Sequence, residues 1–269
     1  MKMAVDETKI AIFQKKIFDW WKQNRRDFPW RDTVDPYYIL VSEMMLQQTQ
    51  TTRVIPKYEQ FIAIFPTIEA LANAEVAEVI KLWSGLGYNR RAIYLHNAVK
   101  ELVLMRNFPS TPKEMEAIKG IGKYTARAIL IFAFNHNLVT VDTNIRRIFI
   151  HEGFATEKNT EKELYQIAEK LLPLSHSRDW HNALMDYGSI VLTASSTGIK
   201  PVSTQPTFKG SKRMYRGKVL KSLITKEKMT RLAISNECSI PKSIVDEILE
   251  DLIRERLIKK DRTHYSLPS

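Results

Sequence analysis

The 269-residue sequence predicts an all-α fold followed by a small α+β domain. Three observations carry this. Apolar residues recur at helical spacing through most of the chain up to residue 192. No confident strand alternation appears before residue 200. Composition then shifts to a Ser-, Thr-, Pro- and Gly-rich stretch, the mark of a linker, and a basic segment follows. The expected organisation is a helical domain over 1–192, a linker over 193–208 and a basic domain over 209–269.

Composition narrows the function. With 44% hydrophobic residues the chain can bury one large core or two modest ones. A net charge of +11 favours a polyanionic partner, nucleic acid first. The one cysteine, Cys238, excludes a disulfide framework and any cysteine-ligated zinc or iron–sulfur site. The N-terminus lacks the continuous apolar run of a signal peptide, and no uncharged stretch is long enough to span a bilayer. An intracellular protein of the cytoplasm or nucleoid, a monomer with no membrane partner, is expected.

The elements follow in order. Ile10, Phe13, Ile17, Trp20 and Trp21 lie on one face of a first helix, which Pro29 ends. The segment Arg25–Arg31 mixes cations with aromatics and reads equally as a capped loop with a tryptophan in the core. Tyr38 to Thr52 reads as a helix with Glu43 inside an almost wholly apolar run. A carboxyl there sheds hydration, which favours its neutral form and suits a general acid; a narrow polar stripe facing water is the plain alternative. Gln47 to Gln50 add uncharged side chains able to read base edges or to cap a helix end.

Pro56 to Phe65 and Ile68 to Trp83 are further helices, the latter with Thr67 as N-cap. Ser84-Gly-Leu-Gly-Tyr88 is a Gly-x-Gly turn ending in a tyrosine beside Arg90 and Arg91. Such a ring either wedges into a base stack or covers a surface turn. Ala92 to Leu104 is helical. Gly120-Ile-Gly122 then separates two apolar-periodic runs. A tight turn there exposes backbone N–H groups at the start of a helix, a phosphate site, or makes an ordinary helical hairpin. Asp142 follows, flanked by apolar residues and then by Arg146 and Arg147. Ile145 to Ile150, Glu161 to Leu172 and Asp179 to Leu192 complete the helical domain. From Lys209 to Arg231 the chain holds nine Lys or Arg and one acid. Helices over Tyr215–Leu223, Met229–Cys238 and Ser243–Leu257, then a short hairpin, have the element order of a winged helix, and the basic balance supports DNA contact.

Five segments in this order carry a family resemblance: Phe28-Pro-Trp-Arg31, Ser42-Glu-Met-Met-Leu-Gln-Gln-Thr49, Leu82-Trp-Ser-Gly-Leu-Gly-Tyr88, Lys119-Gly-Ile-Gly-Lys-Tyr-Thr125 and Val141-Asp-Thr-Asn144. Residues 10 to 192 resemble the two-lobed helix-hairpin-helix base-excision DNA glycosylases, the MutY-type adenine glycosylases above all. The resemblance implies that Glu43 protonates the leaving adenine and Asp142 stabilises positive charge on the deoxyribose. It places Asn144 beside that aspartate and Tyr124 as a hydrogen-bonding site residue. It implies DNA contacts at Arg31, Gln48, Thr49, Leu86, Tyr88, Gly120, Gly122 and Lys123, and a monovalent cation at hairpin carbonyls. The partner is double-stranded DNA carrying adenine opposite 8-oxoguanine or guanine, with the base flipped out.

Tyr124 stands where the strand-cleaving relatives carry lysine, and Lys123 is one position early, about 100° round a helix. A monofunctional hydrolase is therefore expected. The sequence departs from the pattern twice. The region after Leu192 has no cysteine, so no iron–sulfur cluster is expected, and the tail is too short for a Nudix-like domain. The basic run from Lys209 is expected to supply DNA contacts in their place. A thymine or uracil glycosylase acting on guanine mismatches, and a non-catalytic DNA-binding protein, are the alternatives.

Overall fold

A computed structural model of the chain describes residues 7–202 and 207–269; positions 203–206 of the expected linker lie outside the described residues. In chain order the elements are α1 (Glu7–Asn24), a 3-10 turn (Pro29–Arg31), α2 (Pro36–Leu46), α3 (Thr51–Ile64), α4 (Ile68–Ala72), α5 (Val76–Trp83), α6 (Arg90–Val103) and α7 (Pro112–Ala117). Then come α8 (Lys123–Phe134), α9 (Thr143–His151), α10 (Glu161–Leu171), α11 (Ser177–Ile190) and α12 (Ala194–Thr197). The chain closes with α13 (Lys212–Lys226), β1 (Lys228–Thr230), α14 (Arg231–Glu237), α15 (Val245–Arg254), β2 (Lys259–Asp261) and β3 (His264–Ser266). Among the described residues no strand precedes β1 and no helix is long and apolar enough to cross a membrane.

Two expected helices are interrupted. The run Tyr38–Thr52 stops at Leu46, and Gln48 takes a left-handed φ of 55° before α3 begins. A buried arginine, described below, captures the last carbonyls of α2 and stops the ladder there. The run Ile68–Trp83 is α4 and α5, with residues 73–75 between them. Thr67 caps α4 as expected, its hydroxyl accepting from Ala70 N at 3.1 Å.

The described residues form two compact units. The first takes residues 7–39, 110–113 and 122–202; the second takes 40–109, 114–121 and 207–269. In the first, Phe13, Ile17 and Trp21 of α1 share a core with Ile145, Ile148 and Phe149 of α9 and with Trp180 and Leu184 of α11. Each such side chain contributes about 1.5–3 kcal/mol by burial. Asp186 of α11 is fully buried at 0% exposure, and Arg31 and Arg26 contact it at 2.7 and 2.6 Å while Trp21 Nε1 donates at 3.0 Å. Burial alone would raise its pKa, but the two guanidiniums outweigh it and hold the carboxylate below its ordinary range.

In the second unit Phe61 of α3 meets Trp83 of α5 edge-on, with ring centroids 6.3 Å apart. The C-terminal residues fold as helix, strand, helix, helix, strand, strand, with antiparallel sheet order β1-β3-β2. That is the winged-helix order, with β1 added to the elements expected from sequence. Met229 on β1 pairs with Tyr265 on β3. Val245, Ile248, Leu249 and Leu252 form the buried stripe of α15. They share a core with Ile80 of α5 and Ile93 of α6, so the C-terminal segment closes over apolar surface of the preceding helices.

Candidate active site

Asp142 begins α9 in the first unit as its N-cap, with Oδ1 accepting from Ile145 N at 2.7 Å. Asn144 Nδ2 donates to Oδ2 at 3.0 Å, and Arg147 Nη2 donates to Asn144 Oδ1 at 2.6 Å. Arg147 is itself fixed: Nη2 donates to Gly188 O at 2.8 Å and Nε to Leu192 O. The chain Asp142–Asn144–Arg147 thus orients one half-buried carboxyl from behind. Desolvation pushes the pKa of Asp142 up, opposed by the donors Ile145 N and Asn144 and by the Arg147 charge. Gly188 on α11 permits this arrangement, since a methyl there would lie 2.8 Å from Asn144 Cβ.

The segment before Asp142 is anchored too. Thr140 N donates to His181 Nε2 at 3.1 Å, and His181 Nδ1 lies 2.7 Å from Ser177 O. These partners require the neutral tautomer with the proton on Nδ1. Burial holds the His181 pKa at about 4, against about 6.5 for an exposed histidine. As pH falls, the unfolded chain takes up this proton first. The contribution of His181 to stability is therefore complete above about pH 6.5 and is lost progressively down to about pH 4, a loss of about 3 kcal/mol. Urea unfolding at pH 7 and pH 5 is expected to show that decline, with a shallower one in His181→Gln; equal slopes in the two proteins would refute it.

The hairpin residues divide. Gly120 has φ +97°, and an added Cβ would meet Tyr94 Cβ at 2.6 Å, so only glycine fits this turn. Gly122 has φ −92° and is the N-cap of α8, with nothing within 4 Å of an added Cβ. The space beside this helix N-terminus is open. Lys123, the first residue of α8, is exposed and pairs with Glu161 at 2.6 Å, its ammonium 3.9 Å from the Tyr165 ring. Tyr124, next along, is half-buried.

Glu43 lies on α2 in the second unit, 8% exposed. Of the two readings of Glu43, burial in the apolar run is the one the structure shows. The arginine that ends α2 is Arg91, which in the sequence is one cation beside a turn. It is 6% exposed. Its Nη1 lies 2.8, 2.9 and 2.7 Å from the carbonyls of Met44, Met45 and Gln47. Its Nη2 donates to Thr49 Oγ1 and Gly87 O, both at 3.0 Å, and Nε to Tyr88 O at 3.4 Å. One guanidinium thus ties the helix bearing Glu43 to the loop bearing Tyr88. Burial brings its pKa down to about 10, so it stays cationic at neutral pH. Arg53 donates to Gly85 O, Lys57 Nζ to Leu82 O at 3.2 Å and Trp83 Nε1 to Gly87 O at 3.3 Å, which secures the rest of that loop.

On this platform Gln48 is exposed, while Thr49 and Tyr88 are half-buried; Tyr88 has a left-handed φ of 46°. Two other residues of the motifs have buried side chains. Leu86 is 3% exposed and packs inside, and the guanidinium of Arg31 is engaged by Asp186. Both residues have structural tasks in the free chain. After Leu192, Thr193 Oγ1 accepts from Ser196 N at 3.1 Å and caps α12, and Ser196 Oγ donates to Val191 O at 3.1 Å. These hydroxyls, with Cys238 buried in the other unit, do not fit a cluster that needs four thiolates.

The profile of the HhH-GPD superfamily of base excision DNA repair proteins matches residues 41–174. The chain is similar, at 37% identity over 190 residues, to a Buchnera aphidicola subsp. Baizongia pistaciae protein named adenine DNA glycosylase, covering 69% of this chain and 54% of that one. It is also 37% identical over 203 residues to the adenine DNA glycosylase of Mycolicibacterium smegmatis, covering 72% of this chain and 69% of that protein. The chain thus spans about half the length of the first relative and two thirds of the second. Among solved structures, a thermostable thymine-DNA glycosylase aligns with TM-score 0.63 and 29% identity over 70% of this chain and 89% of its own. Sequence profile, relatives and helical architecture agree, and the chain belongs to the HhH-GPD superfamily of base excision DNA repair proteins.

Proposed function

We propose that the chain is a monofunctional adenine DNA glycosylase acting on adenine opposite 8-oxoguanine or guanine in duplex DNA. The observation that carries this is the Asp142–Asn144–Arg147 relay, which holds a carboxyl in one orientation without neutralising it by a direct ion pair. Such an anion suits a developing sugar cation. The reading assigns Glu43 as the acid. The C1′–N bond breaks, its electrons pass to the base, and the base takes the Glu43 proton. Asp142 stabilises the oxocarbenium-like sugar, water adds to C1′ and releases a proton, and an abasic site remains. Backbone N–H groups at Gly122 and the start of α8 hold a phosphate, with a monovalent cation at the hairpin carbonyls. Gln48, Thr49 and Tyr88 meet the duplex where the base is extruded.

The adenine-glycosylase names of the Buchnera and Mycolicibacterium proteins support adenine as the target. The similarity to a thymine-DNA glycosylase favours a second reading, thymine or uracil opposite guanine. A duplex panel separates them. Adenine release from adenine:8-oxoguanine and adenine:guanine, absent in Glu43→Gln and without borohydride trapping of a covalent complex, is expected. Release of thymine or uracil alone would install the second reading, and a trapped Schiff base would overturn the monofunctional assignment.

A further inference from the structure

Tyr88 does not stand alone on its loop. Arg213, in the first turn of α13, donates from Nη1 to the Tyr88 hydroxyl. Its guanidinium carbon lies 5.1 Å from the Tyr88 ring centroid and 5.3 Å from that of Phe208. Arg91 approaches the same ring at 5.6 Å. The hydroxyl and the face of one aromatic ring are therefore held by cations 125 residues and three residues away in sequence. We infer that Arg213 is a positioning residue for Tyr88, and that through it the C-terminal segment sets how sharply the molecule discriminates among base pairs. The inference rests on the reading of Tyr88 as the wedge.

Charge distribution points the same way. A winged helix would ordinarily contact DNA through its third helix. Here that helix, α15, presents Asp246, Glu247 and Glu250 to solvent, with Asp251 beside them half-buried. Arg231 pairs with Asp246, Lys212 with Glu247 and Arg216 with Asp251 and Glu255. An acidic helix face is repelled by phosphates. α13 carries six Lys or Arg and no acid, and its N-terminal turn is the part that reaches Tyr88. A ring fixed at one angle tests the deformability of the pair it enters, and it gives up less side-chain freedom on insertion. A ring free to rotate yields to well-stacked and poorly stacked pairs alike.

The test is a double-mutant cycle on the full chain, since truncation would uncover Ile80 and Ile93. Single-turnover adenine release is measured from adenine:8-oxoguanine and adenine:guanine duplexes for wild type, Arg213→Ala, Arg213→Lys, Tyr88→Phe and the Arg213→Ala/Tyr88→Phe double variant, with thermal unfolding alongside. Arg213→Ala is expected to shrink the ratio of the two rate constants by about tenfold at unchanged melting temperature. Arg213→Lys should recover part of it. Tyr88→Phe should match Arg213→Ala, and the double variant should be no worse than either. An unchanged ratio, effects that multiply in the double variant, or a lowered melting temperature with both duplexes slowed equally would overturn the inference. If wild type instead acts on thymine or uracil opposite guanine, the adenine reading fails and the same cycle on those two mismatches decides the role of Arg213. Wild type inactive on every duplex would overturn the parent reading and this inference with it.

Discussion

Asp142→Asn is expected to lower base release by about a thousandfold or more while leaving the fold and duplex binding intact. The substitution keeps an N-cap acceptor for Ile145 N, since asparagine caps about as well as aspartate. It removes the charge and puts an amide donor where Oδ2 accepts from Asn144 Nδ2. The loss should therefore fall on the chemical step, in kcat or the single-turnover rate, and not on the affinity for an uncleaved duplex. A pH profile adds a second readout. Desolvation raises the Asp142 pKa above the ordinary carboxylate value. Activity that needs the anion should fall as pH drops through this raised pKa, at a higher pH than an exposed aspartate would give. The same shift means that the folded chain binds the proton more readily than the unfolded one. Ionising Asp142 therefore costs stability as pH rises, the opposite sign to His181. Measurable wild-type rates in Asp142→Asn would remove Asp142 from the mechanism.

Arg91→Ala is the change expected to do most damage to the structure. Three carbonyls from the end of α2 and its following turn, together with Gly87 O and Thr49 Oγ1, would lose a buried charged donor at once. Deleting one member of such a buried network costs about 3–5 kcal/mol, which lowers the melting temperature by about 10 °C in a chain of this size. Base release should fall with it, because Glu43 and Tyr88 lose their common tether. Arg91→Lys should recover less than half of the stability. An ammonium offers three donors from one point, whereas the guanidinium uses a planar fork aimed at two segments. Amide hydrogen exchange gives the local check: residues 44–49 and 85–88 should open together in Arg91→Ala. A variant with wild-type stability would show that the network is incidental.

Much of the molecule was legible before any tertiary contact was known. Periodicity located most helices, because an apolar stripe needs only local spacing to declare itself. The Thr67 cap, the Gly120 turn and the order of the C-terminal elements were legible for the same reason. Glu43 stood out because a carboxyl among apolar neighbours is anomalous in any window. Asp142 stood out from its place in a motif. The end of α2 was not legible, because the group that stops it sits far along the chain on α6. Arg91 and Arg147 each looked like one of a pair of surface cations, and only the folded chain shows that they are buried among carbonyls. Arg31 and Leu86 are a second case of burial that the sequence does not show. Their motifs suggested surface contacts, and their burial depends on α11 and on the loop platform.

The sequence by itself determined the chemistry available to this protein: two carboxylates, a Gly-x-Gly turn between helices, a tyrosine after Lys123, and a single thiol. These are properties of residue type and short spacing. The tertiary structure alone decided which charges stay exposed and which hold the scaffold, because a buried ion is stabilised by partners whose distance along the chain is unrelated to their distance in space. Arg147 on Gly188 and Leu192, Arg91 between two loops and Arg213 on Tyr88 all belong to that second kind.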